Sequence, residues 1–294
     1  MDERLFARLS SWLLREAVVL ASVIETRGAT PRKRGARMLV GNSDSAFSVG
    51  GGLLEARVIQ FARALLQSSD RERIVEIDLG GGADAAGICG GRMRLALRRW
   101  HGDADQLRAA SIAASLAAGE RVALNERDLG IDLLDEVATP DPRLLIVGAG
   151  HCGEALYRLA RQVGFDVRIH DSRDECFVDD SYDSTHVLRG DVSSMSDALD
   201  TARPVFAVLL NRDFQADVAA LDLLCRHRLA FLGMMGSRRR IATVRAALPQ
   251  HEAALAKLVA PIGVDIGAES PEEIAISILA QLVSLRRRQL PGTD

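Results

Sequence analysis

The chain has 294 residues, enough for roughly two domains at about 150 residues each. Hydrophobic residues at 48% and charged residues at 26% exclude global disorder, and aromatics at 4% call for an aliphatic core. With 37 Lys and Arg against 40 Asp and Glu, the formal charge of −3 excludes a globally cationic nucleic-acid binder.

Leu5, Leu9, Trp12, Leu13 and Glu16 sort apolar and polar faces at a spacing near 3.6 and predict a helix over 4–16. The nearly continuous apolar run 17–24 predicts a buried strand. After a basic, glycine-containing loop, 38–40 and 47–49 can pair as a hairpin across Gly41-Asn42-Ser43-Asp44. Three glycines, 50–52, lead into an amphipathic helix over 53–66. Strands follow at 74–79 and 93–98, then a helix over 104–118 and a short strand near Val122. Ala138-Thr139-Pro140-Asp141-Pro142 reads as the linker, because two prolines oppose regular structure there. It divides the chain into domains 1–137 and 138–294.

Beyond the linker, strands (144–147, 167–170, 185–188, 205–210, 230–232) alternate with helices (152–163, 213–227), which predicts a parallel sheet covered on both faces. The last helix starts at Ser270-Pro271-Glu272-Glu273, a capping box with proline at the first helical position. It ends in Arg286-Arg287-Arg288, expected as a solvated, dipole-favoured terminus. The fold class is α/β throughout.

No apolar run approaches bilayer length, and the start, Met-Asp-Glu-Arg, is acidic where a signal peptide is basic. Cys89, Cys152, Cys176 and Cys225 form no Cys-x-x-Cys pair and suit reduced thiols. The expectation is a soluble cytoplasmic protein that contacts neither membrane nor nucleic acid.

The sharpest local signal is Gly148-Ala149-Gly150-His151-Cys152-Gly153 between a predicted strand and a predicted helix. There Gly148 permits the turn, Gly150 admits a pyrophosphate, Gly153 lets helix and sheet approach, and the helix N–H groups face the anion. His151 sits inside this turn. Asp171, ending the next strand, is placed to accept from ribose hydroxyls, while Arg173 could instead meet a phosphate.

The first domain offers three further sites. Gly50, Gly51 and Gly52 can leave amides free for an anion, with Glu55 in the helix's first turn. Thr30-Pro31-Arg32 places a hydroxyl and a guanidinium on a stiffened turn near Lys33, Arg34 and Arg37. Cys89, with Gly87, Gly90 and Gly91 around it, is a thiol with little steric cover. Taken singly these read more readily as a hairpin, a solvated basic loop and a small packed cysteine; all three together in one small domain move the balance toward a site.

Together the blocks carry a family likeness. Gly28-Ala29-Thr30-Pro31-Arg32, Gly50-Gly51-Gly52-Leu53-Leu54-Glu55, Cys89-Gly90-Gly91 and Gly148-Ala149-Gly150-His151 come in that order. Phe231-Leu232-Gly233-Met234-Met235-Gly236-Ser237-Arg238-Arg239-Arg240 follows, and then the stretch from Ala260-Pro261-Ile262-Gly263 to Pro271-Glu272-Glu273-Ile274. Over nearly its whole length the chain resembles the XdhC/CoxI family, xanthine dehydrogenase accessory proteins that handle molybdenum cofactor. The resemblance implies an N-terminal α/β domain of that type followed by a Rossmann-like, doubly wound parallel sheet.

It further implies a cofactor chaperone rather than a turnover enzyme. Such a chaperone binds molybdopterin, as itself or in a dinucleotide form, and promotes its sulfuration with a cysteine desulfurase. It then delivers the cofactor to an apo molybdenum hydroxylase such as xanthine dehydrogenase. Cys89 is the implied thiolate near the metal, with Arg32, Glu55 and Arg238 as further cofactor-binding residues, and a homodimer is implied as well. The expected site lies where the carboxyl ends of the parallel strands face the Cys89 loop. Two departures stand out: Phe47 replaces a small residue, usually glycine, and Asn211-Arg212-Asp213 replaces a Thr-His segment common in relatives. The competing reading is an NAD(P)-dependent oxidoreductase built on the glycine turn and Asp171, but it lacks a Tyr-x-x-x-Lys or Asp-His proton donor.

Overall fold

A computed structural model describes residues 2–81, 90–133, 136–178 and 181–289. Two compact units divide between Pro140 and Asp141.

The first unit runs α1 (Asp2–Leu13), β1 (Val18–Arg27), β2 (Arg37–Val40), β3 (Ser45–Phe47), α2 (Gly52–Leu66), β4 (Glu72–Asp78) and β5 (Arg92–Trp100). It ends with α3 (Gly102–Ala117), β6 (Val122–Ala123), α4 (Glu126–Leu129) and β7 (Val137–Ala138). The long strands form an antiparallel sheet in the order β3-β2-β1-β5-β4. The apolar run of β1 reads without alternation because both faces are covered. Val19, Ala21 and Val23 pack with Leu54, Val58 and Ala62 of α2. Val18 and Leu20 pack with Leu5, Phe6 and Leu9 of α1 and Ile112 of α3. The successive side chains of a strand point to opposite faces, so a two-sided burial leaves no polar positions.

Arg37, expected beside the basic loop, is instead a buried pin. It donates to Asp2 at 2.9 Å and to Glu136 at 2.8 Å, and Asp2 also accepts from the Thr139 N–H at 3.1 Å. Ala138, assigned to the linker, pairs with Val122 in the two-stranded β6-β7 ladder.

The second unit runs β8 (Arg143–Val147), α5 (His151–Gln162), β9 (Asp166–Asp171), β10 (Val187–Arg189), α6 (Ser196–Leu199), β11 (Val205–Leu209) and α7 (Phe214–Leu224). It closes with β12 (Phe231–Met234), α8 (Arg238–Ala246), α9 (Glu252–Leu255) and α10 (Pro271–Gln289). Its sheet is parallel, in the order β10-β9-β8-β11-β12, and a parallel bridge from Gly233 to Val259 continues it by one position. This is the Rossmann order, with the chain reversing direction of travel between β8 and β11. Leu144, Ile146, Phe206 and Val208 face α5 and α10, while Leu145, Val147, Ala207 and Leu209 face α7 and α8.

The capping box forms as expected: the Glu273 N–H donates to Ser270 Oγ, and Glu273 Oε2 accepts from the Ser270 N–H. Arg286 is not simply solvated. Its guanidinium donates to the carbonyls of Val163 and Gly164 at 3.0 and 2.9 Å and lies over Phe165, closing the end of α5. The segment expected as a strand over 185–188 is a 3-10 turn over Ser184–His186 followed by β10. Helix α8 has no counterpart in the sequence pattern, because only Ile241 and Val244 of its nine residues are buried and its first turn is three arginines.

Candidate functional site

In the second unit the glycine turn has the anatomy its sequence implies. Gly148 takes φ 114°, and a Cβ there would sit 2.8 Å from Asn211 Oδ1. A Cβ on Gly153 would fall inside contact with the Gly148 carbonyl oxygen, whereas one on Gly150 would meet nothing within 4 Å. The turn is therefore closed toward the sheet and open outward, and exposed His151 is the first residue of α5.

Asn211 and Arg212 follow β11 at the point where the strand order reverses, the position at which open parallel sheets bind ligands. Arg240 holds this segment. It donates to the carbonyls of Arg212 and Asp213 at 2.5 and 2.9 Å and forks onto the buried Asp217 carboxylate. Arg238 and Arg239, on the same first turn of α8, are exposed. Burial pushes Asp217 above the usual carboxylate range despite Arg240. Burial likewise raises the Cys152 thiol, against the pull of Arg212, so it is no thiolate at neutral pH.

Asp171 ends β9 as expected, but its carboxylate is already occupied. Oδ2 accepts from the Ala149 N–H at 2.8 Å and from Arg173 Nη2 at 2.9 Å; Oδ1 accepts from the Arg173 N–H and Nε, both at 3.0 Å. Burial raises its pKa, yet the donors from Arg173 and Ala149 outweigh that and leave it low. The expected ribose-accepting role thus requires Arg173 to release Asp171. Tyr182, which sequence reasoning did not single out, donates to the Ala149 carbonyl at 3.1 Å and covers the turn from the β9 side.

In the first unit the three glycine-bearing blocks converge. A Cβ on Gly50 would lie 2.5 Å from Pro31 Cγ, so the triple glycine packs under the 28–32 turn. A Cβ on Gly28 would lie 3.1 Å from the Gly90 carbonyl oxygen, and one on Gly91 would strike the carbonyls of Ala29 and Arg27. The Leu79 and Gly91 backbones hydrogen-bond at 2.8 Å and carry the β4-β5 pairing up to this contact. Cys89, the implied metal-facing thiolate, lies outside the described residues. Among the described residues no group of three metal-ligating side chains gathers.

The expectation of amides free for an external anion is corrected at Gly50 and Gly51. Glu55 Oε1 fills the nest, accepting from the Val49, Gly50 and Gly51 N–H groups at 3.0, 3.2 and 2.9 Å and from Ser48 Oγ at 2.5 Å. Burial raises Glu55, but these four donors lower it further, so it stays ionised well below neutrality. The acid four residues into the helix supplies the anion that the loop was expected to recruit. Arg34 pairs with Glu136 at 3.2 Å, leaving Arg32 and Lys33 as the exposed cations of the turn with no partner among the described residues.

The sheet order and the converging glycine blocks agree with sequence comparison. A family model for the XdhC Rossmann domain matches residues 144–282, and one for the XdhC and CoxI family matches residues 12–78. The chain belongs to the XdhC/CoxI family. The XdhC Rossmann match runs from β8 into α10 and takes in the glycine turn, Asp171 and Arg240. Among relatives, an uncharacterized protein, YqeB, of Escherichia coli strain K12 is 29% identical over 279 residues, covering 93% of this chain and 44% of its own length. A protein of Bacillus subtilis strain 168 described as a probable xanthine dehydrogenase subunit is 29% identical over 153 residues, covering 51% of this chain and 44% of its own length. The chain therefore spans less than half the length of the curated relatives it matches. The crystal structure of a xanthine dehydrogenase from Bacillus halodurans aligns with TM-score 0.83 at 25% identity, over 100% of this chain and 98% of that one. No helix among the described residues is long and apolar enough to cross a membrane.

Proposed function

We propose that this XdhC/CoxI protein is a maturation factor for a molybdenum hydroxylase such as xanthine dehydrogenase. In this reading it binds molybdenum cofactor, assists sulfuration with a cysteine desulfurase as sulfur donor, and delivers the cofactor to the apo hydroxylase, acting as a cytoplasmic homodimer. Family membership and likeness to proteins described as xanthine dehydrogenase or one of its subunits support the maturation role.

The observation that carries the cofactor reading is the packing of Gly90 and Gly91 on the 28–32 turn. That packing brings the residue next to Cys89 in the chain against the loop bearing Arg32 and Lys33. The donor set of the first unit suits the anionic end of a phosphate-bearing pterin: two exposed cations without partners among the described residues. Arg32 and Lys33 would hold an anionic end, and Cys89 would offer a soft sulfur ligand. When bound, the cofactor supplies the redox-active molybdenum that the recipient enzyme uses. The NAD(P) oxidoreductase reading has less support, since the chain offers no Tyr-x-x-x-Lys or Asp-His proton donor.

Purification from a host that makes molybdenum cofactor, followed by fluorescence assay of oxidised pterin and metal analysis, tests the proposal. Pterin and molybdenum should co-purify and be depleted in Cys89→Ala and Arg32→Ala. A native preparation that carries no pterin and takes none up on reconstitution overturns it.

A further inference from the structure

At the end of β9 the chain has done something specific with the two residues that ordinarily decide what a glycine turn binds. The acceptor capacity of a carboxylate is about four hydrogen bonds, and Asp171 receives four: three from Arg173 and one from the Ala149 N–H. Cys176 also lies against this carboxylate. No acceptor position is left for the two hydroxyls of a ribose. Arg173 meanwhile uses Nε and one N–H of Nη2, the side edge of its guanidinium. The end edge, formed by Nη1 and the second N–H of Nη2, has no partner among the described residues, and the side chain is 57% exposed. A guanidinium edge is a planar pair of donors that matches two oxygens of a phosphate.

We propose that Arg173 is a specificity-determining residue of the XdhC Rossmann domain: it closes Asp171 to a vicinal diol and presents its free edge to a phosphate monoester. The fork onto Asp171 fixes the guanidinium plane, so the free edge is oriented before a ligand arrives. The Asp171 carboxylate that orients Arg173 and the nearby Glu175 both oppose an incoming anion, which keeps the expected preference modest. Burial of Asp171 and its bond to the Ala149 amide make the pair part of the glycine turn itself, so a change at Arg173 is felt where the ligand's phosphates would sit.

NADH and NADPH are suitable probes, because they differ only by a phosphate monoester on the ribose that faces this position. Fluorescence titration of the full-length protein should show NADPH bound about tenfold tighter than NADH. In Arg173→Ala the freed carboxylate accepts the diol and repels the phosphate, so the ratio should fall to near unity or invert. Arg173→Lys, which keeps the charge but cannot fork, should show an intermediate ratio and carries the test if the alanine variant fails to fold. The proposal is overturned if the native protein favours NADH, if it binds neither nucleotide, or if the folded variants leave the ratio unchanged. Pterin retention is read separately, so loss of the cofactor role and loss of this selectivity are distinguishable.

Discussion

Removing Arg240 should unlock the segment after β11. Its guanidinium meets Asp217 on α7, whose side chain is 1% exposed, through Nε at 3.0 Å and Nη2, and it holds two backbone carbonyls of the 211–213 segment. Arg240→Met keeps most of the stem and deletes the charge, leaving a buried carboxylate without its cation. Breaking a buried pair from one side costs about 3–5 kcal/mol. Because Arg240 is itself 24% exposed, the lower end, about 3 kcal/mol, is expected, or about 10 °C in Tm for a unit of this size.

The loss should depend on pH. Burial already raises Asp217 with Arg240 in place, and without it the folded-state pKa rises further. An acid whose folded pKa exceeds its unfolded value contributes its full stability when protonated and loses it as pH climbs from the unfolded range through the folded value. Urea denaturation should therefore show a larger deficit near pH 8 than near pH 5, and Asp217→Asn in the same background should recover most of it. A deficit under about 0.5 kcal/mol, or one indifferent to both pH and Asp217→Asn, refutes the reasoning.

Gly153→Ala should lower stability by about 1–3 kcal/mol in thermal melts, since the new methyl would collide with the Gly148 backbone carbonyl rather than a movable side chain. Glu55→Ala orphans four donors at a half-exposed nest and should cost about 1 kcal/mol. Because the folded-state pKa of Glu55 is depressed, that advantage should be intact above the ordinary carboxylate range and vanish in urea melts as pH falls below it. Phe47 occupies the left-handed region at φ 66°, so among truncations of its ring Phe47→Gly should outlast Phe47→Ala by about 1 kcal/mol in the same melts.

Much of the fold was legible because burial leaves a periodic trace. The strand–glycine–helix order of 144–163 and the capping box at Ser270 both appear where pattern placed them. Helix α8 is illegible in sequence because its residues serve the surface and one ion pair, which produces no apolar period. The candidate site was legible as residue types but not as partnerships. Nothing in Gly50-Gly51-Gly52 says that Glu55 sits on the amides of Gly50 and Gly51. Nothing in Asp171-Ser172-Arg173 says that the arginine folds back on the aspartate.

By itself the sequence determined the α/β class, the parallel character of the second unit's sheet and the positions of the glycine turns, because these follow from local periodicity and backbone freedom. Only the tertiary structure decided which charges are engaged: Arg37 with Asp2, Arg240 with Asp217, Glu55 in its own nest, Asp171 with Arg173. A charge's partner is set by distances across elements remote in the chain, and a carboxylate or guanidinium reads the same in sequence whether it awaits a ligand or already holds one.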